Sequence, residues 1–93
     1  MIGIAVLGST GSVGGSTLDV VARHPERFRV VALTANRDAD AMAAQCRLHR
    51  PDYAVMADAG AAARLRDLLT GMAGRPQVLA GREALETVAA LPE

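Results

Sequence analysis

The fold of this chain is decided by residues 2–14, which read Ile-Gly-Ile-Ala-Val-Leu-Gly-Ser-Thr-Gly-Ser-Val-Gly. Residues 2–7 form an apolar run that ends at Gly8, a pattern typical of a strand buried on both faces of a parallel sheet. A helix is predicted to begin at Ser12 and to reach about Arg23. The glycine-rich segment therefore joins an N-terminal buried strand to the first helix.

The rest of the chain repeats the alternation of strand and helix three more times. Strands are predicted over residues 29–34, 53–57 and 77–80. Helices are predicted over residues 58–72 and 82–90, and another reaches Leu48 with either Asp38 or Asp40 as its N-cap. Alternation with short connections predicts a parallel sheet with right-handed crossovers. The predicted fold class is α/β, a Rossmann-like sheet that makes the first half of a doubly wound dinucleotide-binding domain.

The predicted sheet is truncated at the end of the sequence. In a doubly wound sheet the first strand is central, and the second half of the domain lies on its other side. The 93 residues end before that half, which would leave the first strand as an exposed apolar edge. We therefore expect residues 1–93 to be the N-terminal part of a larger enzyme whose remainder lies outside this chain.

Composition excludes several other classes of protein. The hydrophobic share of 51% suits a packed core, but no apolar run reaches the ~18–20 residues that cross a membrane. Ten basic residues balance ten acidic ones, and Phe28 and Tyr53 are the only aromatic residues, so nucleic acid is not an expected partner. The single cysteine, Cys46, excludes an internal disulfide and fits a reducing cytoplasm, where we expect the protein to reside.

The glycines follow the spacing G-x-x-G-x-x-G, a variant of the dinucleotide-binding pattern G-x-G-x-x-G. Gly8 permits a tight turn out of the strand, Gly11 lets the backbone approach a pyrophosphate, and Gly14 lets the helix pack on the sheet. Thr10 and Ser12 add hydroxyl donors, and the helix N-terminus adds free N–H groups. This pattern predicts a dinucleotide phosphate site; the alternative is a glycine turn with no ligand.

The end of the second strand indicates which dinucleotide would bind. NAD-binding domains carry an acidic residue about 20 residues after the glycines, bonded to the ribose 2′-hydroxyl. Here Asn36 and Arg37 stand at that strand end, and the planar Arg fork suits the 2′-phosphate of NADP. Asp38 either caps the next helix or meets the adenosine end through its backbone. The alternative for Arg37 is an ordinary solvated loop side chain.

No residue of the chain is assigned a catalytic or metal-binding role. Cys46 lies on the inward face of a predicted helix and is interpreted as a buried structural thiol. His24 and His49 fall at helix C-termini, where they suit the helix dipole. The scattered aspartates lack the spacing that would assemble a metal site.

Three segments resemble one family: residues 7–14 (LGSTGSVG), 16–21 (STLDVV) and 24–37 (HPERFRVVALTANR). Together they are similar to the N-terminus of the 1-deoxy-D-xylulose 5-phosphate reductoisomerase family. The resemblance is dense through Tyr53-Ala54-Val55-Met56 and looser afterwards, although residues 78–81 (VLAG) also fit.

The resemblance implies that the chain binds NADPH. On the pyrophosphate side the family motif carries over to Thr10, Gly11, Ser12 and Val13, and on the 2′-phosphate side to Asn36, Arg37 and Asp38. The family often has Asn at the last of these positions, so a side-chain role for Asp38 does not carry over with the motif.

The resemblance also implies a reaction for the full enzyme. That reaction is rearrangement and NADPH-dependent reduction of 1-deoxy-D-xylulose 5-phosphate to 2-C-methyl-D-erythritol 4-phosphate, in non-mevalonate isoprenoid biosynthesis. It needs Mg²⁺ or Mn²⁺, whose ligands lie beyond this chain, and the full enzyme is expected to be a homodimer. The chain alone is expected to be inactive.

Two alternatives remain open on the sequence. One is another NADP-dependent reductase of the aspartate-semialdehyde dehydrogenase type, and the other is a stand-alone nucleotide-binding module.

Overall fold

The structure is a computed structural model, and it describes residues 2–81 and residue 84. Strands and helices alternate along the chain as the sequence predicts. Their bounds are β1 Ile2–Val6, α1 Ser12–Arg23, β2 Phe28–Ala35, α2 Ala39–His49, β3 Tyr53–Met56, α3 Ala59–Leu68 and β4 Gln77–Ala80. The helix predicted over residues 82–90 lies, apart from residue 84, outside the described residues.

The four strands form one parallel sheet in the order β1-β2-β3-β4. Each strand pairs with the next along the chain, as in Val6 with Leu33 and Val55 with Leu79. The predicted α/β class with a Rossmann-like parallel sheet is confirmed. Among the described strands β1 has β2 as its single neighbour, so the carboxyl ends of β1 and β2 lie side by side.

The main core lies between one face of the sheet and the three helices α1, α2 and α3 of the described residues. A single cluster of buried side chains combines residues from every helix and from β1, β2 and β3, and its largest fully buried members are Leu33, Met42, Met56, Leu65 and Leu69. A smaller cluster on the other sheet face is built around Ala32 and Val55. The described helices thus cover one face, and none of them is long and apolar enough to cross a membrane.

The first strand is not buried on both faces as its apolar run indicates; it lies at the exposed edge that is expected when the second half of the sheet is absent. The side chains of Ile2 and Leu7 are each 58% exposed, and Ala5 is exposed as well. The strand also ends at Val6, one residue early, because Gly8 turns the chain with a φ of 65°. The cause is the place of β1 at an edge of the described sheet, where no described helix covers its second face.

The third helix is shorter than predicted. It ends at Leu68, whereas the apolar pattern continues to Met72. After Leu69 the chain closes in turns, with Met72 N–H donating to the Leu69 carbonyl at 3.0 Å, and Gly71 has a φ of 85° that ends helical geometry. Leu69 and Met72 still pack on the core, so the apolar periodicity outlasts the helix. The other described bounds lie within one residue of those predicted.

Candidate dinucleotide-binding site

The glycine loop packs tightly against the start of α1. A Cβ atom on Gly14 would overlap the carbonyl oxygen of Gly8 and would lie 2.7 Å from the Cα of Ser9. Gly11 N–H donates to the Gly8 carbonyl at 3.0 Å, and Gly15 N–H donates to the Gly11 carbonyl at 2.9 Å. The absence of a side chain at Gly14 therefore brings the helix N-terminus directly onto the backbone of the loop, whereas the sequence pattern predicted a close approach to the sheet.

The N-terminus of α1 differs from those of the other two described helices. Its N-cap residue is Gly11, which makes no side-chain cap bond, and its first turn carries no acidic residue. In contrast, the carboxylates of Asp38 and Asp58 cap α2 and α3, accepting from the N–H groups of Ala41 at 3.0 Å and Ala61 at 2.8 Å. The α1 N-terminus thus keeps the uncapped N–H groups and the positive dipole end that favour an anion.

The loop is fixed to β2 through two bonds to one residue. Thr34 is buried; its Oγ1 accepts from Gly8 N–H at 3.0 Å, and its carbonyl accepts from Ser9 N–H at 2.8 Å. The end of β2 therefore sets the path of the glycine loop. Sequence reasoning missed this role of Thr34, and the available signal was a hydroxyl residue among the buried apolar residues of a central strand.

The loop is also bonded to α2. The side-chain Nε2 of Gln45 donates to the carbonyl oxygen of Ser9 at 2.7 Å, and the Ser9 hydroxyl lies 4.0 Å from the sulfur of Met42. Ser9 itself is fully buried. Gln45 was not predicted from the sequence either, although an amide between the inward residues Met42 and Cys46 is a signal that indicates it.

The residues predicted to bind the 2′-phosphate follow β2, at the carboxyl end of the sheet where the glycine loop also lies. Asn36, Arg37 and Asp38 are all exposed. The backbone of this segment is held by two hydrogen bonds: Asp58 N–H donates to the Asn36 carbonyl at 3.1 Å, and Ala39 N–H donates to the Arg37 carbonyl at 2.9 Å. Within the described part of the chain, the Arg37 guanidinium has neither a hydrogen bond nor an ion pair, so it is available to a ligand.

The residues predicted to bind the pyrophosphate and those predicted to bind the 2′-phosphate both lie at the carboxyl ends of β1 and β2. Thr10 is half-buried in the loop, Gly11 caps α1, and Ser12 and Val13 begin that helix. The bonds from Gly8 and Ser9 to Thr34 place this loop beside the β2 end that continues into the Asn36–Asp38 segment. Of the two roles considered for Asp38, the structure shows the helix cap, since its carboxylate bonds Ala41 N–H. Whether these residues contact a cofactor stays a prediction.

Two side chains interpreted as structural, Cys46 and His49, are shielded from solvent to different degrees. Cys46 is fully buried, as predicted, and burial raises the pKa of its thiol to about 12. His49 is the last residue of α2, and burial lowers its pKa. Among residues 2–81 and 84 no three His, Cys, Asp or Glu side chains are grouped as a metal site requires.

The chain matches the sequence profile of the family described as 1-deoxy-D-xylulose 5-phosphate reductoisomerase over residues 4–93. It is 60% identical over 94 residues to the protein of that name from Methylococcus capsulatus, covering 100% of this chain and 24% of the relative. The Nitrosomonas europaea protein of the same name is 56% identical over 90 residues, covering 97% of this chain and 22% of the relative.

Solved structures agree with these relatives. The reductoisomerase from Zymomonas mobilis in complex with NADPH superposes with a TM-score of 0.89 at 37% identity, over 97% of this chain and 23% of that one. A reductoisomerase in complex with NADPH, fosmidomycin and magnesium gives a TM-score of 0.87 at 33% identity, over 96% of this chain and 22% of that one.

The chain thus spans about a quarter of the length of the curated relatives it matches. The matches do not favour the aspartate-semialdehyde dehydrogenase type that the glycine pattern alone left open. On the extent of the profile match and the identity to these relatives, the chain belongs to the 1-deoxy-D-xylulose 5-phosphate reductoisomerase family.

Proposed function

We propose that this chain is the NADPH-binding part of a reductoisomerase that acts on 1-deoxy-D-xylulose 5-phosphate. The observation that carries the proposal is the α1 N-terminus, which alone among the three described helices has no side-chain cap and lies against a glycine loop. A dinucleotide pyrophosphate is an anion of the kind that such an N-terminus binds. Related structures hold NADPH, which agrees with this assignment.

The residues present fit NADPH in two places. Around the pyrophosphate, the backbone N–H groups that follow Gly11 would donate to phosphate oxygens, joined by Thr10, Ser12 and Val13. Because Gly14 has no side chain, helix α1 packs directly on one side of the loop. The ligand would bind on the opposite, outer side. When bound, NADPH supplies a hydride; the residues of this chain bind and orient it.

At the other end, the exposed Arg37 guanidinium would pair with the 2′-phosphate. Asn36 would add a neutral hydrogen bond there. Asp38 has its carboxylate engaged in capping α2, so it would contribute through its backbone. These roles distinguish NADPH from NADH, which lacks the 2′-phosphate that Arg37 would bind.

The remaining parts of the proposal concern the complete protein. We propose that it rearranges and reduces 1-deoxy-D-xylulose 5-phosphate to 2-C-methyl-D-erythritol 4-phosphate with Mg²⁺ or Mn²⁺, as a cytoplasmic homodimer. The described residues of this chain offer no metal site, so no step is assigned to a metal here. Residues 1–93 would form the first part of the NADP-binding domain and would have no activity alone.

The test is a cofactor titration of the complete gene product, followed by an activity assay. Calorimetry should give saturable NADPH binding that is at least about tenfold tighter than NADH binding, the range expected for one Arg–phosphate pair. The protein with NADPH, Mn²⁺ and 1-deoxy-D-xylulose 5-phosphate should consume the absorbance of the reduced nicotinamide. Absence of NADPH binding would refute the proposal, and binding without turnover would refute its catalytic part.

A further inference from the structure

The Gln45 side chain contacts the glycine loop from the helix behind it. Its Nε2 donates to the Ser9 carbonyl at 2.7 Å, and Ser9 is fully buried between Gly8 and Thr10. A carbonyl oxygen can accept only, so the amide NH₂ must face Ser9 and the Oε1 atom must point away. That Oε1 is buried and, among the described residues, has no hydrogen-bond partner.

This arrangement costs free energy that a non-polar side chain would avoid. A buried amide oxygen without a partner is destabilising, since the group gives up its bonds to water. The neighbours Met42 and Cys46 on the same helix are apolar and fully buried, so packing alone would be served by a side chain such as Met. What an apolar residue would lack at this position is the bond to Ser9.

Helix α2 connects the two ends of the proposed cofactor site. Its N-terminus is capped by Asp38, directly after Arg37, and Gln45 follows Asp38 by two turns, about 10 Å along the helix. The Ser9 carbonyl is therefore bonded to the same rigid element that begins beside the proposed 2′-phosphate residue. A shift of the loop relative to α2 would move the pyrophosphate site, which NADPH and NADH share.

We infer that Gln45 is a positioning residue for the pyrophosphate loop, which acts through Ser9 and touches no part of the cofactor. This inference rests on the proposed function, because it names the residue that holds the loop in its cofactor-binding conformation. Thr34 fixes the loop from the strand side, and Gln45 fixes it from the helix side. Loss of the Gln45 bond frees the loop to move without disturbing Arg37.

The experiment uses the complete enzyme with Gln45→Met, which keeps length and helix propensity but removes the donor. The KM for NADPH and that for NADH should rise by the same factor, about three- to tenfold, as the loss of one neutral hydrogen bond supports. The kcat and the KM for the sugar phosphate should stay within about twofold. Gln77→Met, the same change at an exposed residue of β4, is the matched control and should alter neither KM.

Gln45→Glu is the second variant, because it keeps the outline of the side chain and its carboxylate cannot donate at neutral pH. It should raise both KM values at least as much as Gln45→Met. A purely structural residue would lower the active fraction, and so kcat, while leaving KM unchanged; that result would overturn the inference. A rise in the KM for NADPH without a rise in the KM for NADH would also overturn the inference. Failure of the unsubstituted enzyme to bind NADPH would instead overturn the proposed function itself.

Discussion

Gly8 and Gly14 lie so close that a Cβ atom on Gly14 would overlap the Gly8 carbonyl oxygen and approach its carbonyl carbon to 2.8 Å. Both partners of this contact are backbone, which a rotamer change cannot relieve. Gly14→Ala should therefore destabilise the protein by roughly 1–3 kcal/mol, more than the helix propensity of Ala restores. Thermal unfolding of the complete protein measures this loss.

Gly11→Ala is the matched control for that substitution. A Cβ on Gly11 would lie 3.4 Å from the Gly8 carbonyl oxygen, and φ and ψ of −84° and 173° suit any residue. Stability should change by no more than about 1 kcal/mol, the cost of a poorer N-cap. NADPH and NADH affinity should both fall, because the new methyl group meets the proposed pyrophosphate. Equal stability of the two variants would contradict the packing described for Gly14.

Arg37→Ala should separate the two nicotinamide cofactors. The Arg37 side chain is exposed and bonds to no other described residue, so its removal should leave the fold intact. A charge-assisted bond to phosphate is worth about 1.5–3 kcal/mol, or roughly 10- to 150-fold in affinity. NADPH binding should weaken by that factor while NADH binding stays the same, as measured by calorimetric titration. Arg27→Ala, at an exposed residue of the opposite sheet edge, should affect neither.

Asp38→Asn should tighten NADPH binding slightly. Asn can cap α2 as well as Asp does, so the bond to Ala41 N–H is retained. The substitution removes a negative charge beside Arg37, which should improve NADPH affinity about two- to threefold at low salt and less at high salt. The control is Asp58→Asn, which makes the same change at the cap of α3. A similar gain with both variants would assign the effect to net charge.

The sequence predicted the order of elements and the glycine loop because both depend on local patterns. Strand–helix alternation is visible as apolar periodicity, and the loop is visible as glycine spacing. The extent of α3 was not predictable in this way, since Met72 continues the apolar stripe after the turn at Leu69 has ended the helix. The residues that hold the loop, Thr34 and Gln45, were not predicted because they contact it only in the folded chain. Thr34 is 26 residues from its partner Gly8 in sequence, and Gln45 is 36 residues from Ser9.

The apolar pattern of β1 and its exposure disagree for a related reason. An apolar run such as residues 2–7 indicates that a strand will be buried, but it does not say which part of the molecule covers it. In the described residues the three helices cover one face, and Ile2 and Leu7 stay exposed.

Cys46 should be inert in the folded protein. Burial raises the pKa of its thiol to about 12, and the side chain has no exposed surface, so neither thiolate nor access is available at pH 8. Peptide mapping after a brief treatment with a maleimide should find Cys46 unlabelled in native protein and fully labelled in guanidinium. Native labelling at the rate of a small free thiol would contradict the packing of α2 on the sheet.

The ion pair between Arg29 and Asp52 should give a small, pH-dependent contribution to stability. The two guanidinium nitrogens donate to the two carboxylate oxygens at 3.0 and 2.5 Å, and this bonding lowers the pKa of Asp52. Both side chains are nearly half exposed, at 46% and 49%, so solvent screening limits the pair to at most about 1 kcal/mol.

The lowered pKa of Asp52 determines how the stabilisation by this ion pair depends on pH. An unfolded Asp titrates near pH 3.9, so the folded protein releases that proton more readily, and the stabilisation is fully present above this value. The stabilisation is lost as the pH falls through the lowered pKa of Asp52, because below it Asp52 is protonated in the folded and the unfolded protein alike. Asp52→Asn should therefore be less stable than the unsubstituted protein at pH 7, by up to about 1 kcal/mol, and the difference should shrink as the pH falls below about 4.

Urea unfolding across this pH range measures the difference in stability, with Asp19→Asn on the exposed face of α1 as the control. A difference that stayed constant down to the lowest pH would assign the loss to packing and not to the charge of Asp52.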